Sequence, residues 1–436
     1  MKFSHLTVAS TVALLAGNAA LAQTEIAFWH AFTGRLGELV DAQIADFNAS
    51  QDAYSVTASH KGNYSETLNA GIAAFRAGEQ PEILMVFEVG TATMMAAKGA
   101  IKPVHDVMTE AGVDWDPDAY IGAVKGYYTN IEGEMLSLPF NSSTPVLWVN
   151  RDALEGAGID PDTEMTTWQQ VGTVIDQLAA AGHQCPITTA WQSWIHLENL
   201  SAYHNIPFAT QENGFAGFDT ELAFNGPLQV QHIAQMGEWA RDGKFLYTGR
   251  RNEGGANFRG GDCALFTESS AGYAGIKAEA GFAFDVRPLP YWEGTEGAPQ
   301  NTIIGGASLW VMAGHEAENY KGVAEFLTYL SSPEVQAKWH QDTGYLPITF
   351  AAGELTREQG FYDANPGTDI AVIQMTAKAP TANSKGIRLG SFDQIRTIID
   401  EELEAVWSGD KSAQDALDNA VERGNTLLRR FEQANR

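Results

Sequence analysis

Three short polar runs, each set against apolar sequence, carry the hydroxyls and backbone donors that could hold an anion. The first is Pro139-Phe140-Asn141-Ser142-Ser143-Thr144-Pro145, which leads into Val146-Leu147-Trp148-Val149-Asn150. Its prolines fix φ and remove two backbone donors, so Asn141 to Thr144 is expected to be extended. The second is Glu268-Ser269-Ser270-Ala271-Gly272, after the apolar run 261–267. A strand running into Ser269 before a helix aims hydroxyls and free N–H groups at one point, which suits an anion. The same residues read equally as a plain serine N-cap. The third is Asn301-Thr302-Ile303-Ile304-Gly305-Gly306-Ala307, where paired glycines allow close backbone approach and unusual φ. Tyr345-Leu346-Pro347 is one more extended segment. For a full positive charge the candidates are Arg396, on the edge of a helical apolar stripe, and Arg388 in Gly386-Ile387-Arg388-Leu389-Gly390. Trp191 and Trp194 stand just after the strand-like run 186–190.

Groups for bond-making chemistry are scarcer. GxSxG, HExxH, GxxxxGKS/T and a GxGxxG opening a helix after a strand are all missing from the sequence. Asp114-x-Asp116-x-Asp118 has the start of a calcium loop, but no glycine at its sixth place and Lys125 where the bidentate glutamate belongs. The sequence points to binding rather than catalysis, with no metal and no cofactor.

The elements that must position these residues alternate. Residues 24–28 predict a strand, Leu36, Leu39, Val40, Ile44 and Phe47 share a helical face, and 55–59 is a second strand. Leu68, Ile72 and Phe75 mark a helix closed by Gly78 and Pro81. Residues 83–89, apolar except for Glu88, predict a parallel strand buried on both faces. Thr167 opens another helix, and Ser332-Pro333-Glu334 opens one that Gly344 ends. Ser391-x-x-Gln394 predicts a capping box before Phe392, Ile395, Ile399 and Leu403. The class is α/β, built from right-handed crossovers.

At 436 residues the chain is too long for one simple core. Lys2 and His5, the short apolar run 6–16 and Ala20-Leu21-Ala22 form an export signal expected to be cleaved after Ala22. Losing Lys2 and no acid takes the formal charge from −27 to −28, which argues against a nucleic-acid partner. Cys185 and Cys263 are either a disulfide, as an oxidising compartment permits, or two buried thiols.

Longer runs carry a resemblance over essentially the whole mature chain. They include Lys61-Gly62-Asn63-Tyr64, Phe87-Glu88-Val89-Gly90-Thr91, the 139–145 and 303–311 stretches, Thr343-Gly344-Tyr345-Leu346-Pro347 and Gln394-Ile395-Arg396. On these the chain resembles the extracellular solute-binding proteins (family 1) of ABC importers. The resemblance implies a two-lobed, type II-like periplasmic binding protein fold with three hinge crossings. Residues 23–141 and 304–349 would form the N-terminal lobe, 142–303 and 350–436 the C-terminal lobe. It further implies capture of sn-glycerol 3-phosphate, with glycerophosphodiesters such as glycerophosphocholine, by a periplasmic monomer that serves membrane permease subunits. Tyr64, Ser143, Ser269, Gly306, Tyr345 and Arg396 would gather around the phosphate. Glu88 would take the glycerol hydroxyls, and Trp191 and Trp194 would line the glycerol side. Two alternatives are a neutral-sugar binder of the same fold and an exported phosphodiesterase.

Overall fold

Strand direction in this chain follows from where each strand meets a crossing. The computed structural model describes residues 23–435, and the expected export segment 1–22 lies outside them. The strands are β1 (Thr24–His30), β2 (Tyr54–His60), β3 (Ile83–Phe87), β4 (Ile101–Lys102), β5 (Leu138–Pro139), β6 (Pro145–Asn150), β7 (Ile187–Thr189), β8 (Phe245–Leu246), β9 (Leu265–Ser269), β10 (Phe284–Pro288) and β11 (Ala307–Met312). They form two sheets. One has the order β2-β1-β3-β11-β4 with β5 on β11; the other has the order β10-β6-β9-β7-β8. Helices cover both, giving the expected α/β class.

Neither sheet is wholly parallel. β1 pairs with β2 and β3 in parallel, and β7 with β8 and β9, as crossover helices require. β11 and β6 run antiparallel to β3 and β9. Each enters its sheet directly from a crossing and so runs away from the waist, whereas β3 and β9 run toward it. Register then sets Ala307 beside Phe87 and Pro145 beside Ser269. The carboxyl ends of the long strands therefore abut the crossings, the usual location of ligand crevices in α/β sheets.

The three crossings are joined laterally. Ser143 and Gly305 exchange backbone hydrogen bonds of 3.1 and 2.9 Å, and the Leu346 N–H donates to the Ser142 carbonyl at 2.7 Å. Glu88 N–H donates to Gly306 O, and Ser270 N–H to Thr144 O, both at 2.9 Å.

Helix boundaries correct two expectations. Helix Phe392–Trp407 is present, but Ser391 has φ 54° and its side chain makes no cap. A capping serine needs extended backbone, and the left-handed turn here takes the hydroxyl out of reach. Ser332 likewise precedes Pro333 at a helix start without capping it; its hydroxyl donates to Tyr329 O at 2.8 Å. A true capping box instead opens helix Tyr64–Ala77: Asn63 accepts from Glu66 N–H, and Glu66 from Asn63 N–H. It fixes Tyr64 in the first turn.

Cys185 and Cys263 form a disulfide across a separation of 78 residues. Closing a loop of that length removes on the order of 4 kcal/mol of denatured-chain entropy. The Cys185→Ser, Cys263→Ser variant is therefore expected to melt well below the wild type while keeping its ligand affinity, since neither cysteine touches the cleft. Equal melting temperatures in oxidised and variant protein would contradict the assignment.

A buried histidine chain lies under β7 and β9. Trp292 Nε1–H donates to His232 Nδ1 at 3.1 Å, so His232 carries its proton on Nε2 and donates to His196 Nδ1 at 3.0 Å. His196 Nε2–H is left for Thr189 Oγ1 at 2.9 Å. Burial pushes His196 down to about 3 and His204, near His232, to about 4. The folded state thus resists protonation that the unfolded chain accepts. Their contribution is fully present above pH 6.5 and is lost progressively as pH falls toward 4, roughly 1 kcal/mol per pH unit for each histidine. Melting temperature is expected to fall over that interval, with a shallower slope in His232→Gln. A wild-type curve flat from pH 6.5 to 4 would exclude the effect.

Candidate functional site

The strand ends and crossings bound a cleft of about 650 Å³ between the two sheets. Tyr64, Glu88, Ser143, Trp191, Trp194, Ser269, Gly306, Tyr345 and Arg396 all line it. One end is built from neutral donors. Tyr64 stacks on Phe87, ring centroids 5.4 Å apart, and Tyr345 on Trp339 at 5.8 Å, so packing fixes both phenols. Their hydroxyls adjoin, and Asn141 Nδ2 donates to Tyr64 Oη at 2.9 Å, leaving the Tyr64 proton to donate onward. Burial pushes the Tyr64 phenol well up and Tyr345 to about 12, so both stay protonated. Ser269 is the N-cap one reading anticipated, its Oγ accepting from Ala271 N–H at 3.0 Å, and it lines the cleft as well. Ser143 adds a second hydroxyl from the first crossing.

Gly306 sits at φ 101°, where a Cβ would lie 1.8 Å from the Asn141 carbonyl oxygen. A side chain there would strike the neighbouring crossing rather than enter ligand space. At Gly305 a Cβ would meet the Trp194 ring at 2.6 Å, so that indole packs directly on the second crossing. Trp191 has φ 46°, an uncommon conformation for a bulky residue and one that clusters at functional sites. Its Nε1–H donates to Asn252 Oδ1 at 2.6 Å, and Arg251 lies 5.6 Å over its ring. Arg251 in turn donates to Ser65 Oγ of the other half at 3.0 Å.

A second group of lining residues is charged and differs from expectation. Arg396 is neither a surface residue nor a free cation: it is 7% exposed and held by two acids. Its Nε and Nη2 donate to the two oxygens of Glu198 at 2.9 and 2.7 Å, and Nη2 also donates to Glu88 Oε1 at 2.7 Å. The Nε–Nη2 edge of Arg396 is therefore already engaged by carboxylates, a pairing the sequence reading did not anticipate. Burial raises the Glu88 carboxyl, against the pull of Arg396.

Glu198, which holds Arg396 without lining the cleft, and Glu268, which lines it, escaped the sequence reading as site acids. Glu198 sits in a single π-helical turn, Trp194–Asn199, a feature often found at functional sites. Its one signal was an acid inside the largely apolar run after Trp191. Glu268, whose Oε1 accepts from Ser269 N–H at 2.6 Å, is pushed up to about 8 by burial. Arg388 lies outside the cleft lining. It donates to the carbonyls of Gly126 and Tyr127 and stacks on Phe215, 4.1 Å from the ring centroid. Among the described residues no group of three His, Cys, Asp or Glu is placed to hold a metal ion. No helix among them is long and apolar enough to cross a membrane.

The family model described as bacterial extracellular solute-binding protein matches residues 42–367. The chain belongs to this family. Its members are non-enzymatic binding components that take up a small molecule and hand it to an ABC permease. It is 54% identical over 418 residues to the sn-glycerol-3-phosphate-binding periplasmic protein UgpB of Yersinia pseudotuberculosis, covering 96% of this chain and 95% of that one. It is 52% identical to the UgpB of Salmonella typhimurium, covering 99% of both chains. Among solved structures it resembles UgpB from Mycobacterium tuberculosis in complex with glycerophosphocholine, with TM-score 0.78, 21% identity and coverage of 94% and 99%. The cyclic alpha-maltosyl-1,6-maltose binding protein from Arthrobacter globiformis gives TM-score 0.73 at 22% identity, covering 93% and 99%. At those identities the two structures speak for the fold: a two-lobed solute-binding protein.

Proposed function

We propose that this solute-binding protein captures sn-glycerol 3-phosphate, and glycerophosphodiesters such as glycerophosphocholine, in the periplasm as a monomer after cleavage behind Ala22. The observation that carries the reading is the polarity of the cleft. Protonated hydroxyl donors on Tyr64, Ser143, Ser269 and Tyr345, with the buried Glu268 carboxyl beside Ser269, form one end of the proposed site, and the Glu88–Arg396–Glu198 cluster forms the other. The first end suits a phosphate, since hydroxyl donors held in place by packing can satisfy its oxygens with charge-assisted hydrogen bonds. The second suits vicinal hydroxyls, which donate to Glu88 and accept from Arg396. Trp191 and Trp194 cover the carbon face between them.

Closure is a rotation of one lobe against the other about the crossings, with residues 23–141 and 304–349 on one side and 142–303 and 350–436 on the other. Glu88 and Arg396 belong to different lobes, so their pairing registers the closed state. The similarity to the sn-glycerol-3-phosphate-binding periplasmic proteins of Yersinia pseudotuberculosis and Salmonella typhimurium supports the ligand. Calorimetric titration with glycerol 3-phosphate, glycerophosphocholine and maltose tests it. Heat of binding with the first two and none with maltose is expected; the reverse pattern would favour the neutral-sugar reading.

A further inference from the structure

Glu198 is 2% exposed and spends both carboxylate oxygens on one partner, the Nε–Nη2 edge of Arg396. The geometry of that pair has a consequence for ligand choice. Without Glu198, Arg396 and Glu88 would form a neutral pair, and the planar fork would lie open to receive a carboxylate or phosphate in two parallel hydrogen bonds. With it, the formal charges of Glu88, Glu198 and Arg396 sum to minus one and the fork is filled. Of the neighbouring arginines, Arg251 lines the cleft over the Trp191 ring and donates to Ser65 Oγ, and Arg250 is bound at both Nε and Nη2 by Glu404. What Arg396 keeps for the cleft is Nη1, which makes no hydrogen bond among the described residues. Glu198 is itself set by its neighbour: Asn199 Oδ1 accepts from Ile303 N–H of the second crossing at 2.9 Å, and Asn199 Nδ2 donates to Trp194 O at 3.2 Å.

We infer that Glu198 is a specificity-determining positioning residue, which makes the polyol end of the cleft accept hydroxyls and reject a second anionic group. The inference rests on the glycerol phosphate reading above. The informative pair of probes is glycerol 3-phosphate and 3-phosphoglycerate, which differ by a carboxylate in place of the terminal hydroxymethyl group. Like charges brought together at a desolvated contact cost several kcal/mol, so the wild type should favour glycerol 3-phosphate by on the order of 100-fold or more.

Dissociation constants for both probes should be measured in wild type, Glu198→Gln and Glu198→Asp, with melting curves on all three. Glu198→Gln keeps the shape but removes the charge. Its preference is expected to shrink to about ten-fold or less, with 3-phosphoglycerate binding more tightly than it does to wild type. Glu198→Asp keeps the charge and should retain the preference even where overall affinity drops. A purely structural role would weaken both probes equally and leave their ratio at the wild-type value in Glu198→Gln; that result overturns the inference. Should Glu198→Gln fail to fold, loss of the preference in a folded Glu198→Asp overturns it as well. Wild-type protein that binds neither probe overturns the glycerol phosphate reading itself, a different outcome from an unchanged ratio.

Discussion

Arg396→Ala is expected to remove glycerol 3-phosphate binding and to lower the melting temperature of the same protein. Two buried carboxylates share this guanidinium, and both would be left without a cation. Removing one member of a buried ion pair typically destabilises by about 3–5 kcal/mol. For the ligand, truncating a buried hydrogen-bonded charge costs roughly 2–5 kcal/mol, so affinity should fall by tens- to thousands-fold. Arg396→Lys should recover part of each loss, because a point charge cannot serve both oxygens of Glu198 and Glu88 as the fork does. Arg388→Ala, outside the cleft, should bind as wild type. The assignment is sunk if Arg396→Ala keeps wild-type affinity while Arg388→Ala loses it.

Gly306→Val should be equally severe and for a reason of backbone packing. The glycine's φ of 101° is strained for any side chain, at about 1–3 kcal/mol. Its Cβ would also stand 1.8 Å from a carbonyl oxygen, backbone against backbone, where no rotamer change relieves the overlap. Relief requires moving the first crossing, which carries Ser143 and its paired hydrogen bonds with Gly305. Binding below detection by calorimetry together with a depressed melting temperature is expected. Gly281→Ala, where the added carbon meets nothing within 4 Å, is the control. Near-wild-type affinity in Gly306→Val would show that the crossings tolerate displacement and that the site does not depend on them.

The sequence exposed the crossings because prolines and paired glycines between apolar runs have few other uses. The site was harder. Residues 268–270 announced hydroxyls at a strand end, and the structure shows Ser269 both capping and facing the cleft. Arg396 could be placed on a helix edge by periodicity, yet its partners lie 308 and 198 residues away, and periodicity says nothing about pairs so distant. Glu198 was hidden because a π-helical turn departs from both templates used to read faces from sequence. Ser391 has the residue types of a capping box and the wrong backbone, a distinction that depends on φ alone. The cysteine pair stayed open because 78 residues separate two positions that only sheet order brings together.

Three of the cleft residues, Ser143, Gly306 and Tyr345, lie on the crossings, while Glu88, Trp191 and Arg396 stand on strand ends and helices beyond them. When two lobes rotate, displacement grows with distance from the axis, and the axis runs through the crossings. On the proposed rotation, the donors on the crossings, Ser143 and Tyr345, are therefore the part of the anion site that moves least, while Tyr64 and Ser269 travel with their own helix and strand. Capture acquires an order: phosphate docks first on a nearly stationary cradle in the open protein, and the polyol end swings over it afterwards. Stopped-flow tryptophan fluorescence should then show a concentration-dependent step followed by a concentration-independent one. Inorganic phosphate, which offers only the anion, should give the first step alone; a single concentration-dependent phase for glycerol 3-phosphate would mean that both ends engage at once.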